Sequence, residues 1–189
     1  MTQQVPEEEL IQRIIDGDKQ LFSVIVDRYK HKVYGIMRGM GASHPDAQDL
    51  AQDTFIRIYR YLPTRREGSS FSAWVYTIAV NMMRDHMRRV KSTTTRVNEE
   101  SYTQGIEEST PEKQILQQEM KREIYRHLEQ LPDSYRLVLL LKYTNELSYE
   151  EISEVTGMSA AQIRNALYRG KKSLQKQLKQ ARGEWSYEV

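Results

Sequence analysis

Apolar residues recur at helical spacing along most of the chain. Glu8–Ile15 and Lys19–Met40 carry this pattern, and Phe22, Ile25, Val26, Tyr29, Val33 and Ile36 fall on one face of the second segment. Asp16-Gly17-Asp18 separates the two as a stop and restart signal, and Gly39-Met40-Gly41 ends the second. His44-Pro45-Asp46 opens a third helix, with the proline in the first turn, where its missing N–H costs nothing. Ala47, Leu50, Ala51, Thr54 and Ile58 form the core face of that helix. Pro63–Ser70 reads as a polar loop. Phe71–Val90 reads as a fourth helix, with Phe71, Trp74, Val75, Ile78, Ala79 and Met82 on its apolar side. Further on, Ile115–Leu131 is helical, and Leu131-Pro132-Asp133 is a turn whose aspartate is expected to cap a helix running through Tyr143. No stretch alternates as a strand does. The expected fold is all-α.

One segment breaks the pattern. Ser92–Pro111 is rich in Ser and Thr and has no apolar periodicity, so it cannot bury enough surface to offset its ordering entropy. It reads as a flexible linker at 92–111. That places one small helical domain at 1–91, another at 112–183 and a short tail at 184–189. Composition agrees: 39% hydrophobic and 29% charged residues suit small helical units better than one large sheet core. With 9 Gly and 5 Pro, a turn-rich β fold is disfavoured.

Some chemistries are excluded outright. There is no cysteine, so disulfides, thiol nucleophiles and Cys-ligated zinc are ruled out. Met1–Glu9 is polar and acidic, without a signal-peptide pattern, and the longest apolar run, Leu137–Leu141, falls far short of the roughly 18 residues a membrane span needs. A cytoplasmic protein with no direct membrane insertion is expected. The four histidines (31, 44, 86 and 127) are scattered, and no glycine-rich phosphate loop is present. No catalytic residue, metal site or cofactor is expected, and the protein reads as a non-enzyme.

Net charge is only +2, but its distribution is uneven. Arg164, Arg169, Lys171, Lys172, Lys176, Lys179 and Arg182 form a basic run with no acidic residue between them. Arg84, Arg88, Arg89 and Lys91 form a second cluster, offset by Asp85, and the linker between the two is acidic. Two basic patches flanking an acidic stretch point to nucleic acid.

Three constellations stand out. On the third helix, Asp46, Asp49 and Asp53, with Gln52 beside them, line a face away from the core. This suits either a solvated helix start, where the dipole favours carboxylates, or a docking surface for a basic partner. On the fourth helix, Asn81, Arg84, Asp85 and Arg88 share a polar face. They are suited to base edges and phosphates, with Asp85 orienting an arginine, though an ordinary amphipathic helix would look similar. Trp74 and Phe71 read as core. Near the C-terminus, Ser148-Tyr149-Glu150-Glu151 and Ser159-Ala160-Ala161-Gln162 are two capping boxes on either side of the turn Thr156-Gly157-Met158. Two short capped helices across a glycine turn, the second running into a basic stretch, read as a helix-turn-helix. Its recognition helix starts near Ala160 and directs Gln162, Arg164, Asn165, Tyr168 and Arg169 outward, with Lys172 one turn further along.

Taken together, these segments resemble the extracytoplasmic-function (ECF) sigma factors of bacterial RNA polymerase. Asp46-Ala47-Gln48-Asp49-Leu50-Ala51-Gln52-Asp53-Thr54-Phe55 is similar to the family's A-E-D-L-x-Q-E-T-F segment. Phe71 to Arg89 is similar to F-x-x-W-L-x-x-I-A-x-N-x-x-x-D-x-x-R. Leu131-Pro132-Asp133-Ser134-Tyr135-Arg136 resembles the L-P-x-x-x-R start of the region that reads the minus-35 element. In the recognition helix, Ala166 stands where the family often has a basic residue.

The resemblance implies that Asp46, Asp49, Leu50, Gln52, Asp53 and Phe55 dock on the clamp of the largest polymerase subunit. It implies that Asn81, Arg84, Asp85, Arg88 and Arg89 contact the minus-10 element, with the Pro63–Ser70 loop helping to hold an extruded base. Gln162, Arg164, Asn165, Tyr168, Arg169 and Lys172 would contact the minus-35 element. Expected partners are therefore core polymerase, promoter DNA and an anti-sigma factor, possibly membrane-anchored. About 20 extended linker residues reach on the order of 65–70 Å, roughly two duplex turns of about 34–36 Å each. The alternative from another class is a stand-alone helix-turn-helix regulator, which would bind duplex DNA without polymerase.

Overall fold

The computed structural model describes residues 6–66, 68, 70–94 and 123–184. Most of the expected linker, the start of the helix expected from Ile115, and the tail from 185 lie outside them. The described residues are helical, and no strand occurs among them.

Helix α1 (Glu7–Ile15) opens with three glutamates at the positive end of its dipole and buries Leu10, Ile11 and Ile14. A tight turn, Lys19–Leu21, leads into α2 (Phe22–Gly39). Helix α3 (His44–Tyr61) starts on Ser43, whose Oγ accepts from the Asp46 backbone N–H at 3.2 Å. Helix α4 runs from Phe71 to Thr94, one turn beyond the expected end at Val90. These four helices surround Ile25, Val33, Ile36, Met37, Ile58 and Leu62. Tyr29 meets Phe71 and Tyr76 edge-on, with ring centroids 5.7 and 5.9 Å away.

In the C-terminal half, residues 123–129 form α5. Helix α6 (Asp133–Leu139) follows and widens into a π turn over Leu140–Thr144. Then come α7 (Tyr149–Thr156) and the long α8 (Ala160–Glu184). Asp133 does not cap α6 as expected. Pro132 occupies the N-cap position with no side-chain cap, and Asp133 sits in the first turn, where the dipole still favours it. Both expected capping boxes form. Ser148 Oγ accepts from the Glu151 N–H while the Glu151 carboxylate accepts from the Ser148 N–H, and Ser159 and Gln162 repeat the exchange. Gly157 takes the left-handed conformation, φ 74°, that ends α7 and aims α8 away from it.

The two halves pack against each other, which the sequence pattern does not foretell. The five consecutive residues Leu137–Leu141 are all buried, because α6 is covered on every side. Leu139 faces α8, where a Cβ at Gly170 would come within 2.9 Å of its methyl. Leu140 faces α2, where a Cβ at Gly39 would come within 2.6 Å of its methyl. The two glycines thus permit the close approach of α8 and α2 to the leucines of α6. Helix α4 also carries a second buried stripe, Tyr76, Val80 and Met83. It continues the face from which Ser72 reaches α7.

Arg136, of the L-P-x-x-x-R segment, is buried at 7% exposure and gathers helix-end carbonyls. Its guanidinium donates to Met40 O at the end of α2 (3.2 Å), to Glu129 O (2.7 Å) and to Leu131 O (3.1 Å). A cation set among C-terminal carbonyls is favoured by hydrogen bonding and by the helix dipoles together.

Candidate nucleic-acid interface

The polar face of α4 lines two clefts. The larger, about 650 Å³, is bounded by Arg57, Asn81, Arg84, Asp85, Met87, Arg88 and Lys91, with Asp133 entering from the C-terminal half. Asn81 and Arg84 are exposed, and Arg88 is exposed and ion-paired with the half-exposed Asp85. The smaller cleft, about 300 Å³, is lined by Arg57, Tyr61, Thr64, Trp74, Ile78 and Asn81.

Arg57 and Asn81 belong to both clefts. On one side lie guanidinium groups that suit phosphates. On the other lie a tyrosine and a tryptophan that suit the faces of unpaired bases. Trp74, expected in the core, packs against it but is only half-buried and also lines this cleft. Sequence reasoning missed Arg57 and Tyr61. The available signal was their i, i+4 spacing on the polar side of α3.

The loop expected to help hold a base is tied down at both ends. Leu62–Thr64 forms a turn, and Arg65 is ion-paired with Glu8 and lies 5.5 Å over the Phe71 ring. Residues 67 and 69 lie outside the described set. Ser70 and Ser72 each donate to Glu151 Oε1 at 2.6 Å. Partial burial works to raise the Glu151 pKa. The two hydroxyls and the Ser148 backbone outweigh it and hold the carboxyl below its ordinary value.

On α3, Asp46, Asp49, Gln52 and Asp53 are exposed. Asp46 also accepts from Ser43 Oγ at 2.6 Å, so part of its role is to fix the helix start. Leu50 is buried at 5% exposure and holds α3 to the core rather than facing outward. Phe55, almost as buried, forms part of the floor of an apolar groove of about 500 Å³ between α2 and α3, with Phe22, Val26, Ala51, Ile56 and Tyr59. Gln52 and Lys30 line it as well, and Lys30 is ion-paired with Asp27. The acidic stripe thus borders an open hydrophobic groove, the make-up of a protein-docking surface.

On α8, Gln162, Arg164, Asn165, Tyr168, Arg169 and Lys172 are all exposed, and Tyr168 presents 66% of its surface. Gln162 uses its carbonyl oxygen in the capping box, which leaves its amide N–H groups to donate outward. Ile163, Ala166 and Leu167 are buried. Ala166 is therefore a packing position here, and its lack of a basic group reflects the core behind it. No ion pair within the described residues neutralises Arg164, Arg169 or Lys172. Among the described residues no three His, Asp or Glu gather as a metal site would need, and no helix is long and apolar enough to cross a membrane.

The chain matches the family model of Sigma-70 region 2 over residues 25–93 and that of Sigma-70, region 4 over residues 121–174. It is 33% identical over 177 residues to the ECF RNA polymerase sigma factor SigW of Bacillus subtilis, covering 89% of this chain and 95% of that one. It is 30% identical over 186 residues to the RNA polymerase sigma-H factor of Pseudomonas aeruginosa, covering 94% of this chain and 96% of the other. Its fold is similar to that of the sigma factor RpoE of Bartonella quintana, solved in complex with the anti-sigma factor NepR. The TM-score is 0.64 at 22% identity, over 84% of this chain and 96% of the other.

Proposed function

This chain belongs to the ECF sigma factors, and on that premise we propose how its surfaces divide the work of directing RNA polymerase to promoters. The N-terminal domain, residues 1–91, docks on core polymerase and opens the minus-10 element. The linker, from the end of α4 to 111, spans the gap, and the domain at 112–183 reads the minus-35 element.

Docking uses the groove between α2 and α3, with Phe55 in its floor and Gln52, Asp49 and Asp53 beside it. A basic, apolar helix pair on the clamp of the largest subunit fits this combination. Minus-10 capture uses the paired clefts of α4. Asn81 reads a base edge, Trp74 and Tyr61 stack on bases taken out of the duplex, and Arg57, Arg84, Arg88 and Arg89 hold the backbone. Opening is then driven by the capture of unstacked bases, with no nucleotide hydrolysis. Recognition of the minus-35 element falls to the outward face of α8, where Gln162 and Asn165 face base edges and Arg164, Arg169 and Lys172 face phosphates. An anti-sigma factor is the expected regulator. The α2–α3 groove, apolar and uncovered, is its natural target, because a protein seated there excludes polymerase.

The observation that carries this reading is the sharing of Arg57 and Asn81 between a cationic cleft and an aromatic one. Two substitution sets test the division. Asp49→Asn with Asp53→Asn weakens binding to core polymerase. Asn81→Ala with Trp74→Ala leaves core binding intact and abolishes permanganate reactivity of unpaired thymines at the promoter. Unchanged strand opening in the second set contradicts the assignment.

A further inference from the structure

We propose that Tyr143, which lies outside the helix-turn-helix, is a positioning residue for promoter recognition: its ring holds the Lys171 ammonium ready for a phosphate of the minus-35 element. The inference rests on the reading of the protein as a sigma factor. It adds two residues to the DNA-facing surface of α8.

Tyr143 stands in the π turn that follows α6. The Asn145 N–H closes that turn by donating to Leu140 O at 3.1 Å. Such turns are uncommon and recur at functional sites. Leu140, Leu141 and Asn145 around it are buried, yet Tyr143 keeps 53% of its surface exposed. Lys171 of α8 sits over its ring, with Nζ 4.6 Å from the centroid. That is well inside the roughly 6 Å of a cation–π contact.

Lys171 lies where a phosphate is expected. An α-helix with its side chains is about 10–12 Å across, and the major groove is about 12 Å wide. A helix seated there turns its outer line toward base edges and its two flanks toward the sugar-phosphate walls. Lys171 follows Arg164 by about two turns, so the two share one flank, about 10 Å apart along the axis. Arg169 is about 140° further round from Arg164 and lies on the other flank. Asn165 and Lys172 run between the flanks, opposite the buried Ile163, Ala166, Leu167 and Gly170.

The aromatic partner suits this task. A carboxylate beside Lys171 would cancel the charge that attracts a phosphate. A ring holds the ammonium through its face and leaves N–H donors free to point away from it. Among the described residues Lys171 has no carboxylate partner. Lys142 makes the contrast: its Nζ lies 5.2 Å from the Tyr149 ring centroid but donates inward, to Leu147 O at 3.0 Å. Holding a long side chain in place before DNA arrives removes part of the ordering cost of the contact.

The experiment uses holoenzyme assembled from core polymerase and the full chain, bound to a duplex bearing the minus-35 element across a range of salt. Lys171→Gln should lower the slope of log affinity against log salt by about 0.9, the loss of one phosphate contact. Tyr143→Leu should weaken binding about two- to fivefold, the fold equivalent of an exposed cation–π contact. The same replacement made on top of Lys171→Gln should cost nothing further. Tyr143→Phe, which keeps the ring, should restore the binding that leucine loses. A tyrosine that merely supported the turn would weaken binding equally with and without Lys171.

An unchanged slope for Lys171→Gln overturns the proposal, and this arm stands even if Tyr143→Leu folds poorly. An equal loss from Tyr143→Leu in both backgrounds overturns it too, as does a loss in Tyr143→Phe as large as in Tyr143→Leu. If the wild-type holoenzyme does not bind the duplex at all, it is the sigma-factor reading that fails instead.

Discussion

Replacing Arg136 with methionine removes the one side chain that ties three helix ends together. Its guanidinium donates to three backbone carbonyls at 2.7, 3.1 and 3.2 Å and is 7% exposed. A hydrogen bond from a charged donor contributes about 1.5–3 kcal/mol. The sum overstates the loss, because methionine fills similar space and no longer carries the cost of burying a cation. The expected net loss is about 3 kcal/mol, a large share of the roughly 5–15 kcal/mol by which a domain is stable. For a chain of this size it corresponds to a fall in Tm of about 6–12 °C. Arg136→Lys should recover part of the loss, since one ammonium reaches one carbonyl where the planar fork reaches three. Urea denaturation followed by circular dichroism measures both variants, with an unchanged slope showing that the same transition is compared. A loss below about 1 kcal/mol for Arg136→Met would refute the claim that this residue organises the junction of α2, α5 and α6.

Two further outcomes follow from the geometry. Arg164→Gln with Arg169→Gln should reduce the slope of log affinity against log salt by about 1.8 for polymerase holoenzyme on a minus-35 duplex, at about 0.9 for each phosphate no longer neutralised; Asn165→Ala should leave that slope unchanged and relax base preference, and the reverse pattern would exchange the assigned roles. Glu151, with its pKa held below the ordinary value, favours the contact between the two halves above the unperturbed carboxylate value of about 4.3, and this contribution disappears as the pH falls through the lowered folded value. Small-angle scattering on acidification should show the molecule expanding, and Glu151→Gln should flatten that dependence, whereas identical profiles for the two proteins would show that Glu151 does not hold the two halves together.

The local elements are legible in the sequence because their signals are local. The capping boxes at Ser148 and Ser159, the glycine turn at Gly157 and the outward set on α8 all appear where the residues place them. The packing of the two halves is not legible, and the reasons are specific. As a bare run of residues, Leu137–Leu141 says only that it is too short to span a membrane. A helix apolar on every side also signals burial between two partners, and here those are α2 and α8. On α4 the stripe through Trp74 and Ile78 reads as the core face, while Tyr76, Val80 and Met83 form a second buried face. Two apolar faces on one helix mean two packing partners. The aromatic cleft stays hidden because it joins Tyr61 of α3 to Trp74 of α4, a pairing that no periodicity within either helix reveals. Asp133, which reads as a cap, lies next to the α4 cleft through the packing of the halves, which is a tertiary fact.

Promoter-directed transcription can be read directly in vitro with core polymerase, a pool of promoter fragments from the source genome, and this protein present or absent. Protein-dependent transcripts are expected, with start sites that share a pair of upstream elements, and they should be lost when Asn81 or Arg164 is replaced. Binding to duplex DNA with neither core binding nor protein-dependent transcripts would contradict it and favour a stand-alone helix-turn-helix regulator.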